Sequence, residues 1–148
     1  VYVAFTAQEE VGLRGAQTAA FAIQPEYAIA VDVTDTGDLP ERKYPMAVKM
    51  GEGPAVKIMD HSVICDQQIK QTLYRVAQEN DIPVQREIME FGGTDTGAIQ
   101  RTAGGVKVGA VSIPTRYIHS AADMANLRDV EQAIQLIAHA VSDGMDKT

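Results

Sequence analysis

The sequence predicts an α/β fold in which strands and helices alternate. Three observations carry this. Tyr27 to Thr34 is apolar nearly throughout, as strands buried on both faces tend to be. Apolar residues at three- and four-residue steps mark amphipathic helices, the clearest from Gln67 to Glu79. Near the start, a strand, a helix and a strand follow one another within about thirty residues, the length of a βαβ unit with a right-handed crossover.

In order, Val1 to Phe5 has strand composition, with Val, Tyr and Phe in five residues. It runs into Glu9 and Glu10, and Gly12 then permits a tight turn into a helix from Leu13 to Ile23. Ala16, Ala19 and Ala20 let that helix pack closely on a sheet, and Pro25 ends it. The strand Tyr27 to Thr34 carries Asp32 near its carboxyl end. A long polar loop, Asp35 to Gly53, is predicted to hold a short strand at Met46 to Met50. Loops of this length in compact domains are often functional.

Ala55 to Met59 reads as a strand. Asp66 caps the helix Gln67 to Glu79, whose buried face is Ile69, Leu73, Val76 and Ala77. Asn80, Asp81 and Pro83 close it. Val84 to Met89 alternates enough to lie near a sheet edge. Phe91-Gly92-Gly93-Thr94-Asp95-Thr96-Gly97 follows, with Thr94 or Asp95 as cap of a short helix, Ala98 to Arg101. Its backbone amides suit a substrate carboxylate or carbonyl. Val106 to Ile113 is the last long strand, running into Pro114 to Ser120 with Arg116 and His119. Asn126 caps a closing helix with a predicted buried stripe of Leu127, Val130, Ile134, Ile137 and Val141, and Gly144 stops it.

The 148 residues suffice for one domain with a sizeable core. A formal net charge of -7 argues against a nucleic-acid surface. No apolar run approaches the roughly 18 residues of a membrane span. Cys65 is alone, which excludes a disulfide framework and a cysteine zinc site and makes a reducing, cytoplasmic setting the expectation. The chain opens inside a strand without an initiator Met, so sequence is expected to precede it.

Two adjacent carboxylates at the end of a strand repel each other and lose hydration, so they call for a compensating charge. Glu pairs are common on solvated surfaces, and a lone Asp at a strand end is usually a cap. An Asp inside an apolar strand beside a Glu pair reads instead as a ligand. Of the three histidines, His61 lies in a turn and His139 off the helix stripe, whereas His119 follows a buried strand. Glu9, Glu10, Asp32 and His119 all fall at carboxyl ends of strands, where α/β folds place ligands. Oxygen donors with one imidazole suit a hard or borderline divalent ion, zinc, manganese or cobalt. One acid left unligated would serve as a general base.

Four stretches then carry a family resemblance. They are Thr6-Ala7-Gln8-Glu9-Glu10-Val11-Gly12-Leu13-Arg14-Gly15-Ala16, Val31-Asp32-Val33-Thr34, Gly92-Gly93-Thr94-Asp95-Thr96-Gly97-Ala98 and Ser112-Ile113-Pro114-Thr115-Arg116-Tyr117-Ile118-His119-Ser120. In this order they resemble the M42 metalloaminopeptidases, a family of tetrahedral, glutamyl and deblocking aminopeptidases. The resemblance implies a three-layer α/β/α domain with a mixed, mainly parallel sheet, of which residues 1–148 are the carboxyl-terminal part. It implies Glu9 as general base, Glu10 and His119 on one metal ion, and Asp32 on the other. An upstream His, a bridging Asp and an inserted domain have no counterpart in these residues. It further implies peptide substrates, two divalent ions (zinc, or cobalt or manganese) and a homo-oligomer, dodecameric in the family.

The expectation for these residues alone is an inactive chain with incomplete ion sites. Thr94, Asp95 and Arg116 are candidate substrate-binding residues. The loops Asp35 to Gly51 and Phe91 to Thr96 are expected to line the specificity pocket, with Lys43 and Arg116 placed to meet an acidic side chain. Two other readings compete. One is an inert piece or assembly part. The other is an endoglucanase-type glycosidase, disfavoured because adjacent strand residues point to opposite faces whereas glycosidase carboxyls flank the sugar about 5 Å or more apart.

Overall fold

The computed structural model describes residues 1–40 and 45–144. Its elements are α1 (Arg14–Ile23), β1 (Tyr27–Asp35), β2 (Ala55–Met59), α2 (Gln67–Glu79), β3 (Gln85–Ile88), α3 (Thr96–Ile99), β4 (Lys107–Arg116), β5 (Met124–Ala125) and α4 (Leu127–Asp143). The strands form one sheet in the order β1-β4-β2-β3, with β5 paired to β4. β1 runs parallel to β4 from Tyr27 opposite Lys107 to Asp35 opposite Thr115. β2 is parallel to β3 and antiparallel to β4, so the sheet is mixed.

Alternation along the strands divides the side chains between two faces. Val56 and Val111 meet α2 and α4 in a core with Ile69, Leu73, Val76 and Leu136. Gly109 makes this contact possible, because a Cβ there would collide with the Ile69 side chain. Val108 faces the other way, in a smaller cluster with Val63, Cys65 and Val106 against Ala28 and Ile99. α1 and α3 pack together, with α3 on β1 and β4. Helices thus cover both faces of the mixed sheet, the three-layer arrangement that the resemblance implies.

Strong local signals set the element ends. β2 and α2 have the predicted bounds. The Asp66 carboxylate accepts from the Gln68 and Ile69 amides, and Asn126 accepts from the Arg128 amide. Three expectations need correction. Val1 to Phe5 is paired with no strand among the described residues, and Val1, Tyr2, Val3 and Phe5 are exposed. Composition favours extended backbone, but a strand also needs a neighbour. Met46 to Met50 is loop, tied down because Gln85 Oε1 accepts from the Lys49 amide and Val48 O accepts from the Gly37 amide. On α4 the buried face is Asp129, Ala133, Leu136 and Ala140, whereas Leu127, Ile134 and Val141 are exposed. The helix turns Asp129 inward because its carboxylate accepts from the amides of Gly51 and Gly53 at 2.7 and 3.0 Å.

The face towards α3 holds a buried charged cluster. Lys57 and Glu87 are partners in the β2–β3 register, both fully buried, with Nζ 3.1 Å from Oε1. Lys57 also lies 3.3 Å from Asp60 Oδ2. Glu87 reaches across the sheet to accept from Thr34 Oγ1 on β1 at 2.7 Å and Ser112 Oγ on β4 at 2.6 Å. Asp60 accepts from the amides of Ser62 and Val63 and from Thr94 Oγ1, which joins the Gly92–Gly97 loop to the cluster. Removing one partner of a buried pair strands the other, which typically costs about 3–5 kcal/mol. Losing an N-cap costs about 1 kcal/mol. Denaturant titration should therefore find Glu87→Ala more destabilising than Asp66→Ala by at least about 2 kcal/mol. Equal losses would mean that the cluster does not hold the sheet together.

Candidate active site

Thr6 to Leu13 is a wound segment leading into α1. The Gly12 and Leu13 amides both donate to Glu9 O, and the Gly15 amide donates to Ala7 O at 2.9 Å. Gly15 lies so close to the Ala7 backbone that a Cβ would overlap it. Gln8 and Leu13 take left-handed φ of 61° and 57° on either side of the Glu doublet. Thr6 Oγ1 donates to Asp95 Oδ2 at 2.6 Å, latching the segment to the start of α3.

Asp32 lies on β1 opposite Ser112, and its Oδ1 accepts from the Val33 amide at 2.7 Å. His119 lies between β4 and β5, where Tyr117 and His119 have φ of 62° and 60°. Left-handed backbone at non-glycine residues is uncommon and concentrates at functional sites. This turn brings His119 Nε2 to 3.0 Å from Glu10 Oε1, 109 residues away in sequence. Both side chains are open to solvent, at 68 and 72% exposure.

Glu9, Glu10, Asp32 and His119 line one cleft of about 560 Å³. Thr94 lines it too, as do Asp35 and Met46 from the long loop and Phe91 from the loop after β3. Asp95 stands at the N-cap position of α3 but makes no capping bond. Its Oδ2 accepts from Thr6 Oγ1, while Oδ1 is buried without a hydrogen-bond partner among the described residues. Arg116 belongs to β4 and is not on the cleft wall. Its guanidinium is held by Asp38, with Nη2 to Oδ2 at 2.5 Å, and this pairing holds the Asp38 carboxyl down at about 2. Lys43 lies outside the described residues.

Among the described residues, the cleft is short of positive charge. Partial burial, then Asp32, Glu10 and Asp95, push the Glu9 carboxyl above its ordinary value, and His119 opposes them. Asp32 is raised chiefly by burial and also by Asp95 and Glu10, with the Val33 amide and Lys57 acting the other way. Sequence reasoning missed Lys57 and its partners Asp60 and Glu87 beneath this cleft. The signal was a charge inside an apolar strand, the same one that drew attention to Asp32.

The donors suit a divalent ion by chemical type, two carboxylates and an imidazole. Glu10 and His119 meet at 3.0 Å, and Asp32 lines the same cleft. No group of three or more His, Cys, Asp or Glu able to hold an ion occurs among the described residues.

A family model described as M42 glutamyl aminopeptidase matches residues 1–136. The chain belongs to the M42 glutamyl aminopeptidase family. A protein of Acetivibrio thermocellus, described as a candidate aminopeptidase, is 54% identical over 95% of this chain and 42% of its own length. The lysyl aminopeptidase of Pyrococcus furiosus is 39% identical over 92% of this chain and 38% of its own. Of solved structures, a TET aminopeptidase from a marine-sediment Thaumarchaeota archaeon is 42% identical, with a TM-score of 0.87 over 90% of this chain and 38% of that one. The TET1 peptidase of Pyrococcus horikoshii, which can assemble into a tetrahedron or a large octahedral shell, is 36% identical. Its TM-score is 0.76 over 93% of this chain and 39% of that one. The M42 chain thus spans about two fifths of the length of each of these relatives.

The raised carboxyls make the M42 chain's stability depend on pH. Glu9 and Asp32 bind protons more tightly folded than unfolded, so stability falls as pH rises from their ordinary values, 4.5 and 3.8, through the raised ones. In ion-free buffer at pH 7, Glu9→Gln and Asp32→Asn should each raise Tm. The gain should vanish as pH falls below those ordinary values. A lower Tm for both variants at pH 7 would contradict the mutual repulsion.

Proposed function

We propose that this chain carries catalytic residues of a metal-dependent aminopeptidase that hydrolyses the amino-terminal residue of peptides, with Glu9 as general base. The observation that carries the reading is the meeting of Glu9, Glu10, Asp32 and His119 in one cleft, with the imidazole 3.0 Å from Glu10. The reading takes Glu10 and His119 as ligands of one divalent ion and Asp32 as a ligand of a second, zinc or else cobalt or manganese. Such ions, when bound, polarise a carbonyl and lower the pKa of water.

The chain's own residues do the rest. Partial burial and the neighbouring acids hold the Glu9 carboxyl above its ordinary value, which strengthens it as a group that must take a proton from the attacking water and return it to the leaving amine. Its carboxylate is free for this because the backbone at Glu9, not its side chain, holds the turn into α1. Thr94 on the cleft wall is a candidate for orienting the substrate, and Asp95 for fixing the Glu9–Glu10 segment through Thr6. A homo-oligomeric assembly, dodecameric as the resemblance implies, and a cytoplasmic setting belong to the same proposal. No described helix is long and apolar enough to cross a membrane.

The test pairs turnover with ion content in the intact protein, with the upstream part that the resemblance implies. Glu9→Gln should keep the bound ion and lower kcat by about 10²–10⁴-fold, the range for a general base. Glu10→Gln and His119→Ala should lose ion by elemental analysis, and EDTA should abolish hydrolysis of aminoacyl anilides. Near-normal kcat in Glu9→Gln would remove it from its role. Anilide hydrolysis that survives EDTA would remove the metal from the reaction, and EDTA-resistant hydrolysis of a glucan would favour the glycosidase reading.

A further inference from the structure

The cleft has a second lining that the proposed chemistry does not use. Val33, Met46, Ile88, Met89, Phe91 and Ile118 all face it. They come from the ends of β1 and β3 and from three loops, so the sheet gathers them from both of its outer strands. Ile88 is 52% exposed and Phe91 61% exposed, although both are large and apolar. Gly92 has a left-handed φ of 87°, and its Cα faces the end of the Met89 side chain. Apolar walls left wet beside converging polar groups are the usual form of a small-ligand pocket.

Among the described residues, the charged side chains that line this wall are, apart from His119, all acidic. Asp35 and Glu90, which the proposed ion sites do not use, line the cleft. Arg116, the cation nearest in sequence to His119, is taken by Asp38. A substrate carboxylate would lose water against apolar side chains and meet further carboxylates, both unfavourable. A leucyl or methionyl side chain would instead cover Ile88 and Phe91. The methionines can adjust to either shape, being unbranched and flexible.

We infer that this wall receives the amino-terminal side chain of the substrate and selects a large apolar residue, leucine or methionine, over an acidic one. The inference rests on the aminopeptidase reading for the identity of the ligand, while the wall itself is independent of it. It departs from the sequence expectation that Arg116 would greet an acidic side chain.

Two measurements on the intact protein, with the upstream part that the resemblance implies, separate the pocket from the chemistry. The first is kcat/KM for leucyl, methionyl, lysyl and glutamyl anilides. The leucyl and methionyl substrates should exceed the glutamyl one by on the order of 100-fold, the scale on which pockets discriminate. The second is binding of leucinamide and glutamic acid α-amide by calorimetry, with leucinamide at least tenfold tighter. Ile88→Arg should shrink the leucyl-to-glutamyl ratio at least tenfold in both. Phe91→Arg is the second variant should the first fail to fold. Hydrolysis that favours glutamyl substrates, or equal binding of the two amides, overturns the inference. Selective leucinamide binding without hydrolysis of any anilide upholds the pocket and removes the aminopeptidase reading.

Discussion

The contact between Lys57 and Glu87 is the constraint on which the rest of the molecule depends. It joins β2 to β3 directly, and Glu87 then binds β4 and β1 through Ser112 and Thr34. One carboxylate therefore touches all four strands of the main sheet. Asp60 extends the same cluster to Thr94 in the loop that borders the cleft. A buried ion pair is weak evidence for stability in itself, because desolvation offsets attraction. Its value here is geometric: hydrogen bonds to fixed hydroxyls allow one register, and that register sets Asp32 opposite Ser112.

Above this rigid layer the cleft is built from turns. The Glu doublet is presented by a wound segment, and His119 by the turn after β4. Left-handed residues stand in both, at Gln8, Leu13, Tyr117 and His119. Such backbone is unfavourable for residues with a Cβ and persists when surroundings over-determine it. The Thr6–Asp95 bond and the Gly15–Ala7 contact supply part of that surrounding. What results is a set of acids that raise one another's affinity for protons, an arrangement that cations relieve. The fold thus stores in the cleft an electrostatic demand that the described residues leave largely unmet.

Much of this was legible in the sequence where the signal is local. The three- and four-residue steps of α2 and the Asp66 and Asn126 caps depend on neighbours within one turn, and they read correctly. The Glu doublet, Asp32 and His119 stood out because ionisable groups at the ends of apolar runs need partners. What could not be read depends on distant residues. Val1 to Phe5 has the composition of a strand but pairs with none among the described residues. The face of α4 is rotated because Asp129 binds loop amides 76 and 78 positions away. Arg116 is occupied by Asp38, also 78 positions away. Lys57 and Glu87 were visible as charges inside strands but gained meaning only once the register paired them.

The central claim is that acids and one imidazole, remote in sequence, converge on one cleft and there attract divalent cations. The most direct measurement is the imidazole NMR spectrum of the protein during titration with zinc or cobalt. The chain has three histidines, so the experiment carries its own controls. The account predicts that His119 resonances shift first, together with the amides around Asp32, and that Glu10→Gln weakens the response. Equal shifts at His61, His119 and His139, or a His119 signal that ignores the ion, would contradict it.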